Sequence, residues 1–440
     1  MKTKSLMAGL LLVFADLFSA SLLSHPAEVD QAPTSSIQSK IFTPDGAWCW
    51  FSDPRAVYHD RKIYAGWMTS GGSVQVGTRD LGTGELMLST LAEHFQVDDH
   101  DHPSLLFLPD NRLMAFYSLH AEGDLHLRIT RKPADISEWT QDRTLGFNRF
   151  GHGPRGTTYA NPVLLSEEAD TVYVFWRGSD FKPSFSISKN LGATWSEPRT
   201  LIRPTGSGNN DRPYVKYWSD GKKRINFLFT DGHPDINPAN SVYFLRYENG
   251  LFRRADGSRV GAMIDLPFDP SQCDRIYDGA SAGRAWVWDI SENGEGNPVA
   301  VYTRLPAKDD HRYRYVFWDG ARWRDSAITS AGKWFPHTPA GKIETEPYYS
   351  GGITIGSRDP GVVYLSRPVR DVFEIERWTT ADGGRTWTSI AITGNSESDN
   401  VRPVAVRNAP RGTPDLLWMR NKGGYVHYTN YRTEIRMIQP

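Results

Sequence analysis

The sequence predicts an all-β protein, and three observations support that class. The 440 residues include 15 Trp, 19 Tyr, 20 Phe and 39 Gly, so aromatic strand formers and turn-forming glycines are both abundant. Asn-Gly, Asp-Gly and proline-containing turns recur along the whole chain. No long segment carries apolar residues at helical spacing. We therefore expect short antiparallel strands joined by tight turns.

One hairpin pattern recurs seven times. A polar residue, usually followed by proline, begins an apolar strand; a turn follows, and a second apolar strand ends at a polar or charged residue. The copies begin at Asp53, His102, Asn161, Arg212, Arg284, Gly352 and Arg402. Self-similarity at a period of about 50 to 70 residues, without intervening helices, is typical of a propeller built from four-stranded blades. The sequence thus predicts a seven-bladed β-propeller.

Two octapeptides mark turns between the outer strands of blades. SKNLGATW (188–195) and TADGGRTW (380–387) fit the Asp-box pattern S/T-x-D-x-G-x-T-W, with Asn190 in place of the aspartate in the first. The motif resembles those of sialidases and related propellers, and it is structural and not catalytic. The segments YFLRYENGLFRR and YVFWDGARWRD are further outer hairpins with Asn-Gly and Asp-Gly turns.

Both ends of the chain carry organisational signals. The copy that begins at Arg402 leaves room for three strands before Pro440, so residues 36–43 (SIQSKIFT) are expected to add the fourth and remove the free edges. One propeller domain over residues 36–440 follows. Residues 1–25 begin with two lysines and an apolar run, which predicts a signal peptide, although Asp16 interrupts the apolar region. We expect a secreted or periplasmic protein without a membrane span.

Charge and cysteine usage exclude several classes. Fifty Lys and Arg balance 51 Asp and Glu, a net charge of −1, so no global basic field points to nucleic acid. Cys49 and Cys273 are too few for a disulfide scaffold, and either a pair or two buried thiols fits the sequence. We expect a monomer that requires no cofactor, while a structural Ca²⁺ is compatible with the many carboxylates.

The predicted fold brings chemically active residues to one mouth of the channel. In each blade the innermost strand starts at the face where the second strand ends, so residues before the first strand and after the second should ring that mouth. The second copy places His100, His102 and His120 there, and the third places Tyr159 and Arg177. Other copies contribute Arg212, His233, Arg304, Arg367, Arg402 and Arg420. A ring of arginines with histidines on one side suits an anionic ligand.

These residue types favour β-elimination over hydrolysis. Glycoside hydrolysis normally needs two carboxylates, or a tyrosine nucleophile with a carboxylate partner. Elimination at a uronic acid instead needs a cation at the carboxylate, a base for the C5 proton and an acid for the departing O4. Arg177 suits the first task, and histidine and tyrosine suit the others. The sequence leaves open which of them is the base.

Several short segments together resemble a known family. They are DGAWCWFSDPRAVY, DDH followed by proline and a strand, FYSLH, TTYANP and FWR. They resemble the BNR-4-type seven-bladed propellers that include ulvan lyases, most closely over residues 45–180. The resemblance implies a polysaccharide lyase that cleaves a rhamnose-(1→4)-uronate linkage by β-elimination. Its substrate would be ulvan, or a rhamnose- and glucuronate-containing plant gum or arabinogalactan glycan, with or without sulfate.

The resemblance also assigns the site. It implies that the catalytic residues are His100, His120, Tyr159 and Arg177. The residues expected to bind substrate are His102, Arg212, His233, Arg304, Arg367 and Arg402.

Three alternatives remain open from the sequence. An exo-acting glycoside hydrolase, rhamnosidase- or sialidase-like, can use the same scaffold, because Asp boxes mark fold and not chemistry. A non-catalytic carbohydrate-binding propeller is the second alternative. A zinc enzyme with His100, His102 and His120 or Asp98 as ligands is the third, and the absence of an evident fourth ligand disfavours it.

Overall fold

The protein forms seven antiparallel sheets, which confirms the predicted all-β, seven-bladed propeller. This computed structural model describes residues 37–149, 156–206, 211–307, 309–332 and 351–439. The predicted signal peptide, residues 1–25, lies outside them. Within these ranges no helix has the length and apolar character needed to cross a membrane.

The first three blades follow one another along the chain. Blade 1 consists of Ala56–His59, Lys62–Met68, Val74–Asp80 and Leu86–Ala92. Blade 2 consists of Ser104–Phe107, Leu113–Tyr117, His126–Lys132 and Arg143–Thr144, and Asp135–Trp139 also pairs with its third strand. Blade 3 consists of Thr158–Leu165, Thr171–Arg177, Pro183–Ser188 and Arg199–Thr200.

The remaining blades include one enlarged sheet. Blade 4 consists of Val215–Ser219, Arg224–Thr230, Val242–Glu248, Leu251–Arg253, Arg259–Ala262 and Asp274–Tyr277. Blade 5 consists of Arg284–Glu292, Pro298–Ala307, Asp310–Trp318 and Trp323–Gly332. Blade 6 consists of Ile353–Ile355, Val362–Val369, Val372–Thr379 and Thr388–Ala391. The two additional strands of blade 4 explain the long spacing between the copies that begin at Arg212 and Arg284.

Blade 7 closes the ring with both ends of the propeller. It consists of Asn400–Ala405, Leu416–His427, Asn430–Ile438 and Ser39–Thr43. The N-terminal strand pairs antiparallel with the C-terminal strand, with Ser39 opposite Ile438 and Thr43 opposite Ile435. The predicted closure is therefore present, and it satisfies the outer edge of the third strand.

The helices among the described residues are short and lie in connections between strands. The one-turn α-helix is Gly279–Ala282, and the 3₁₀ turns are Asp99–Asp101, Phe147–Arg149, Ser166–Glu168, Ser179–Phe181, Met263–Asp265 and Pro270–Gln272. The turn Asp99–Asp101 precedes the first strand of blade 2, and Ser179–Phe181 follows the second strand of blade 3.

Both Asp boxes form the predicted turns between third and fourth strands. Asp382 Oδ1 accepts the backbone N–H of Thr386 at 2.9 Å. In the first box Asn190 Oδ1 accepts the N–H of Thr194 at 2.8 Å. An amide oxygen can replace the carboxylate here because the turn needs only an acceptor.

The first strand of each blade lies toward the axis. Ser104–Phe107 packs against Thr158–Leu165, and Arg284–Glu292 packs against Ile353–Ile355, so innermost strands contact those of the next blade. Aromatic side chains fill the space between sheets, and Trp48, Trp67, Trp176 and Trp418 are fully buried. Both cysteines are free, buried thiols, which answers the pairing question.

An aromatic segment packs against the tyrosines of the site. The ring of Phe51 lies 5.3 Å from that of Tyr159 and 4.9 Å from that of Tyr214, centroid to centroid. The preceding Trp50 stacks on Trp288 of blade 5 at 4.6 Å. This rigid apolar packing fixes the positions of the two phenols.

Candidate functional site

Two histidines meet at the open end of the blade 2 hairpin, where the sequence predicted them. His100 belongs to the 3₁₀ turn Asp99–Asp101, and His120 lies three residues after the second strand, Leu113–Tyr117. Their rings stack with centroids 4.0 Å apart and planes 13° apart. One buried carboxylate, Asp98, serves both: its Oδ1 lies 2.6 Å from Nδ1 of His100 and its Oδ2 lies 2.9 Å from Nδ1 of His120.

Asp98 determines which ring nitrogen of each histidine carries a proton. Burial opposes its ionisation, but the two imidazoles hold the pKa of Asp98 well below its usual range. An ionised carboxylate only accepts hydrogen bonds, so each imidazole donates to it from Nδ1, and in a neutral ring Nε2 is then left as an acceptor. Burial, helped by the neighbouring His100, lowers the pKa of His120 to about 4. His120 is therefore neutral near pH 7, as a general base must be.

Tyr159 occupies a strained position beside the histidines. Its φ of 65° lies in the left-handed region, within an irregularity of the first strand of blade 3. The Asn161 side chain helps to hold this backbone by donating to the Tyr159 carbonyl at 2.6 Å. Such strain in a bulky residue is typical of functional sites. The Tyr159 ring lies 5.6 Å from that of His100 and 6.4 Å from that of His120.

The phenol of Tyr159 is protonated in this environment. Burial raises its pKa well above the usual value, and the neighbouring Tyr214 raises it further, while Arg177 acts in the opposite direction. A neutral phenol next to a neutral imidazole forms an acid and base pair with the proton on the tyrosine.

Arg177 brings a buried positive charge to the same place. It ends the second strand of blade 3 and is only 7% exposed. Its Cζ lies 4.7 Å from the Tyr159 ring centroid. The guanidinium donates to Tyr214 Oη at 2.8 Å and to Thr158 Oγ1 at 3.3 Å. No carboxylate of the described residues forms an ion pair with it, so this cation has hydroxyl and aromatic partners but no counter-charge.

Blade 4 extends the cationic side of the site. Tyr214, just before its first strand, accepts the hydrogen bond from Arg177. The His233 ring lies 5.3 Å from that of Tyr214. Burial and then Arg212 lower the pKa of His233 to about 3, so this imidazole is neutral. The Arg212 guanidinium lies 4.1 Å from the ring of Phe181. The predicted residues Arg212 and His233 therefore lie on the Arg177 side.

Other predicted mouth residues have partners within the protein. His102 is 1% exposed, and its Nε2 lies 3.6 Å from the thiol of Cys49. Arg402 is 2% exposed and pairs with Asp99 at 2.5 Å. Both side chains are directed into the interior, so we do not include them among residues that a substrate can contact.

Three further arginines of the predicted mouth form ion pairs or hydrogen bonds with residues of their own blade or its adjoining connection. Arg367 pairs with Glu376 at 2.9 Å, and Arg420 pairs with Glu434 at 3.5 Å. Arg304 donates to the Ala282 carbonyl at 3.0 Å. The expected ring of arginines is therefore uneven: those on blades 6 and 7 have carboxylate partners, and Arg177 on blade 3 has none among the described residues.

The site includes two residues, Asp98 and Tyr214, to which the sequence analysis assigned no catalytic or substrate-binding role. Asp98 was visible in the DDH segment, and its place two residues before His100 was the available signal. Tyr214 follows Arg212 and Pro213, so the rule of residues before a first strand could have found it. The spacing of residues in the sequence does not predict the contacts of Asp98 with the two histidines or of Tyr214 with Arg177.

One group of side chains has the composition of a metal site. Asp98, His100 and His120 each offer a ligand atom, and these atoms lie within 4.8 Å of one another. Zinc would need a fourth ligand, and His102 faces Cys49 instead. The two Nδ1–carboxylate hydrogen bonds account for the observed arrangement without an ion.

Similarity to known proteins agrees with this fold. The sequence profile of BNR repeat-containing family members matches residues 62–331, more than half of the chain. None of the curated protein sequences matches. A solved structure of a PL25 ulvan lyase bound to -[GlcA(1-4)Rha3S]- is similar at a TM-score of 0.68 and 12% identity, covering 91% of this chain and 96% of that one. At this identity the likeness shows the fold.

Two further solved structures are similar at lower TM-scores. A PL25 ulvan lyase described without a ligand has a TM-score of 0.67 and 13% identity, over 91% of this chain and 96% of that one. A GH62 α-L-arabinofuranosidase from Coprinopsis cinerea has a TM-score of 0.37 and 11% identity, over 76% of this chain and 88% of that one.

Proposed function

The chain belongs to the BNR repeat-containing family, and we propose that it is a polysaccharide lyase that cleaves a rhamnose-(1→4)-uronate linkage by β-elimination. The observation that carries the proposal is the buried, uncompensated guanidinium of Arg177 beside Tyr159 and the histidine pair. A buried cation is costly unless an anion pairs with it. A uronate carboxylate supplies that anion and is also the group that acidifies the C5 proton.

The geometry supports a division of roles in the reaction. An Nε2 of the His100–His120 pair removes the C5 proton, and the electron pair forms the C4–C5 double bond. The C4–O4 bond breaks, and Tyr159 donates its proton to O4. Arg177 stabilises the negative charge that develops on the carboxylate before the leaving group departs. Asp98 stabilises the imidazolium that results from proton removal, because it is already hydrogen-bonded to both rings.

The choice of linkage rests on similarity. The PL25 ulvan lyase with the same fold is bound to -[GlcA(1-4)Rha3S]-. Ulvan is therefore the first substrate to test, followed by plant gum and arabinogalactan glycans that contain rhamnose and glucuronate. An anionic polysaccharide of this kind matches the cationic side formed by Arg177, Arg212 and their aromatic neighbours.

Hydrolysis has less support from the site. A glycosidase would need two carboxylates flanking the bond, or a tyrosine nucleophile with a carboxylate partner. Both oxygens of Asp98 are used by histidines, and Asp99 pairs with Arg402. Asp98 and Asp99 are thus already bonded to side chains of the protein and are not free to act as nucleophile or acid.

Product analysis with a tyrosine variant tests the proposal. Wild-type enzyme incubated with ulvan or gum arabic should release a 4,5-unsaturated uronate, detected by its near-ultraviolet absorbance. Tyr159→Phe keeps the ring but removes the transferable proton, so turnover should fall by at least about 10²-fold while binding persists. Reducing sugar without ultraviolet absorbance would show hydrolysis instead. Normal unsaturated product from both Tyr159→Phe and His100→Ala would contradict the site assignment.

We also propose that the reaction needs no metal or organic cofactor and takes place outside the cytoplasm. Arg177 supplies the positive charge that a metal ion would otherwise provide at the carboxylate. Dialysis against a chelator should therefore leave the initial rate unchanged, and restoration of a lost rate by added Zn²⁺ or Ca²⁺ would contradict this. The predicted signal peptide is testable by locating the processed protein in culture fractions.

A further inference from the structure

A tyrosine of blade 7 reaches the histidines of blade 2, and we propose that Tyr428 binds the sugar on the far side of the scissile bond from the uronate. This inference rests on the proposed function and adds an orientation to it. The uronate lies on the Arg177 side, and the neighbouring sugar places an apolar face against the Tyr428 ring.

The residue belongs to a hairpin that projects beyond the rest of its blade. The first strand of blade 7 begins at Asn400, which pairs with Arg420. The second strand continues past that point to His427, where it pairs with Asn430 of the third strand. The tip of the hairpin therefore extends past the start of the innermost strand, at the end where the mouth residues lie.

The projecting hairpin is held in place by contacts with blades 1 and 2. The backbone N–H of Asp99 donates to the Tyr428 carbonyl at 3.0 Å. Tyr425 Oη donates to Asp99 Oδ2 at 2.5 Å. Tyr431 Oη donates to the Thr69 carbonyl, just after the second strand of blade 1, at 3.1 Å. These bonds pre-organise the tip, so that little conformational entropy is lost when a ligand binds there.

The Tyr428 ring contacts both imidazoles. Its centroid lies 4.8 Å from that of His100 at an interplanar angle of 89°, and 5.5 Å from that of His120 at 76°. The residue is half-buried and is therefore not enclosed in the core. The histidine pair thus has two phenol neighbours from different blades, Tyr159 of blade 3 and Tyr428 of blade 7.

These neighbours differ in chemistry, and that difference orients a substrate. Tyr159 lies under the Arg177 guanidinium, which attracts the carboxylate. Tyr428 offers an aromatic surface next to the same imidazoles. Sugar C–H groups, and the methyl group of a 6-deoxy sugar above all, pack well on aromatic rings. A disaccharide bound in this way has its linking oxygen over the histidines.

The test compares substitutions of Tyr428 in kinetics and in binding. Tyr428→Ala should raise KM for the polysaccharide about tenfold with kcat reduced much less, because the ring contributes binding on a sugar that does not carry the abstracted proton. Tyr428→Phe, which restores the ring, should recover most of the lost affinity. Affinity for a rhamnose–uronate oligosaccharide, measured by calorimetry in the Tyr159→Phe background, should show the same order.

A matched control separates binding from folding. Tyr58 is a half-buried tyrosine of blade 1, next to the turn of the first hairpin and at the opposite end from the mouth. Tyr58→Ala should leave KM unchanged. A KM of Tyr428→Ala within twofold of wild type, or no recovery in Tyr428→Phe, would overturn the inference while unsaturated product still forms. Wild-type enzyme that neither binds nor cleaves the oligosaccharide would overturn the proposed function, and this inference with it.

Discussion

Two buried arginines of this propeller have opposite electrostatic situations. Arg402 of blade 7 lies 4.9 Å from the Tyr425 ring and forms an ion pair with Asp99 at 2.5 Å. Arg177 of blade 3 likewise lies on tyrosine rings, but its hydrogen bonds go to hydroxyl groups and no described carboxylate pairs with it. Burial and aromatic contact are alike, and only the counter-charge differs.

The difference separates structure from function. A compensated buried charge strengthens the connection between blades, because removing either partner leaves the other unpaired. An uncompensated one lowers the stability of the free protein and gains an anion when a ligand binds. Sites of this kind are where stability and activity oppose each other.

Replacement of Arg177 should give the largest change in activity. Arg177→Met removes the cation and keeps much of the side-chain volume, so kcat/KM should fall by about 10³-fold or more, as for loss of a charge-stabilising donor. The free energy of unfolding should remain within about 1 kcal/mol of wild type or increase, since no buried carboxylate is left unpaired. Kinetics of unsaturated product formation and denaturant unfolding measure the two effects. A strongly destabilised Arg177→Met would remove the contrast with Arg402.

Replacement of Arg402 should affect stability first. Arg402→Met leaves Asp99 buried without its cation, at a cost of about 3–5 kcal/mol in the free energy of unfolding. Arg402→Met/Asp99→Asn should recover part of the loss in a double-mutant cycle. The control is Arg420→Met, whose ion pair with Glu434 is more exposed and should contribute less than about 1 kcal/mol. Equal losses for Arg402→Met and Arg420→Met would contradict this account.

Replacement of Asp98 should lower activity, but by less than replacement of Arg177. Asp98→Asn loses a group that orients both histidines, and activity should fall about 10–100-fold. The Asp98 carboxylate raises the pKa of His120, which burial holds at about 4. Without it that pKa falls further and the neutral base persists to lower pH, so the acid limb of the pH–rate profile should move toward lower pH. An unchanged limb would show that His120 does not act as the base.

Salt should produce the smallest effect. Screening acts mainly on exposed charges, and Arg177 is only 7% exposed. Oligosaccharide affinity should therefore weaken by only about threefold between low and physiological ionic strength, mostly through Arg212. Titrations at several salt concentrations measure the slope. A steep loss would indicate that exposed arginines, and not Arg177, provide most of the attraction.

The fold was predictable because its signal repeats. Seven hairpins with polar starts, two Asp boxes and a three-strand remainder each indicated the same propeller, and pairing of Ser39–Thr43 with the last strand followed from the need to close an edge. The two additional strands of blade 4 were not predicted. Short irregular strands such as Arg259–Ala262 pair with neighbours that sequence periodicity does not identify.

The site was predictable only where strand ends determine it. His100, His120, Tyr159 and Arg177 come together because they lie at the ends of adjacent innermost and second strands. The ion pairs of the arginines depend on contacts between distant segments, so the pairing of Arg402 with Asp99 could not be predicted from the sequence. The pairing of Arg420 with Glu434 could be predicted, because the two face each other across one hairpin. Tyr428 lies at the tip of a hairpin. Its contact with the histidines of blade 2 depends on the orientation of that hairpin, which the sequence does not indicate.

Closure of the propeller ring and one wall of the candidate site both involve blade 7. Its outermost strand is Ser39–Thr43, and its hairpin carries Tyr428 to the histidines. Ser39–Thr43 pairs along the outer edge of Asn430–Ile438, the third strand of the blade, so the strand that begins the propeller supports the hairpin that forms this wall of the site. A chain that lacks Ser39–Thr43 should keep this hairpin but leave the outer edge of its third strand unpaired. We expect such a chain to hold Tyr428 less firmly at the histidines, so that the proposed lyase activity should depend on closure of the ring.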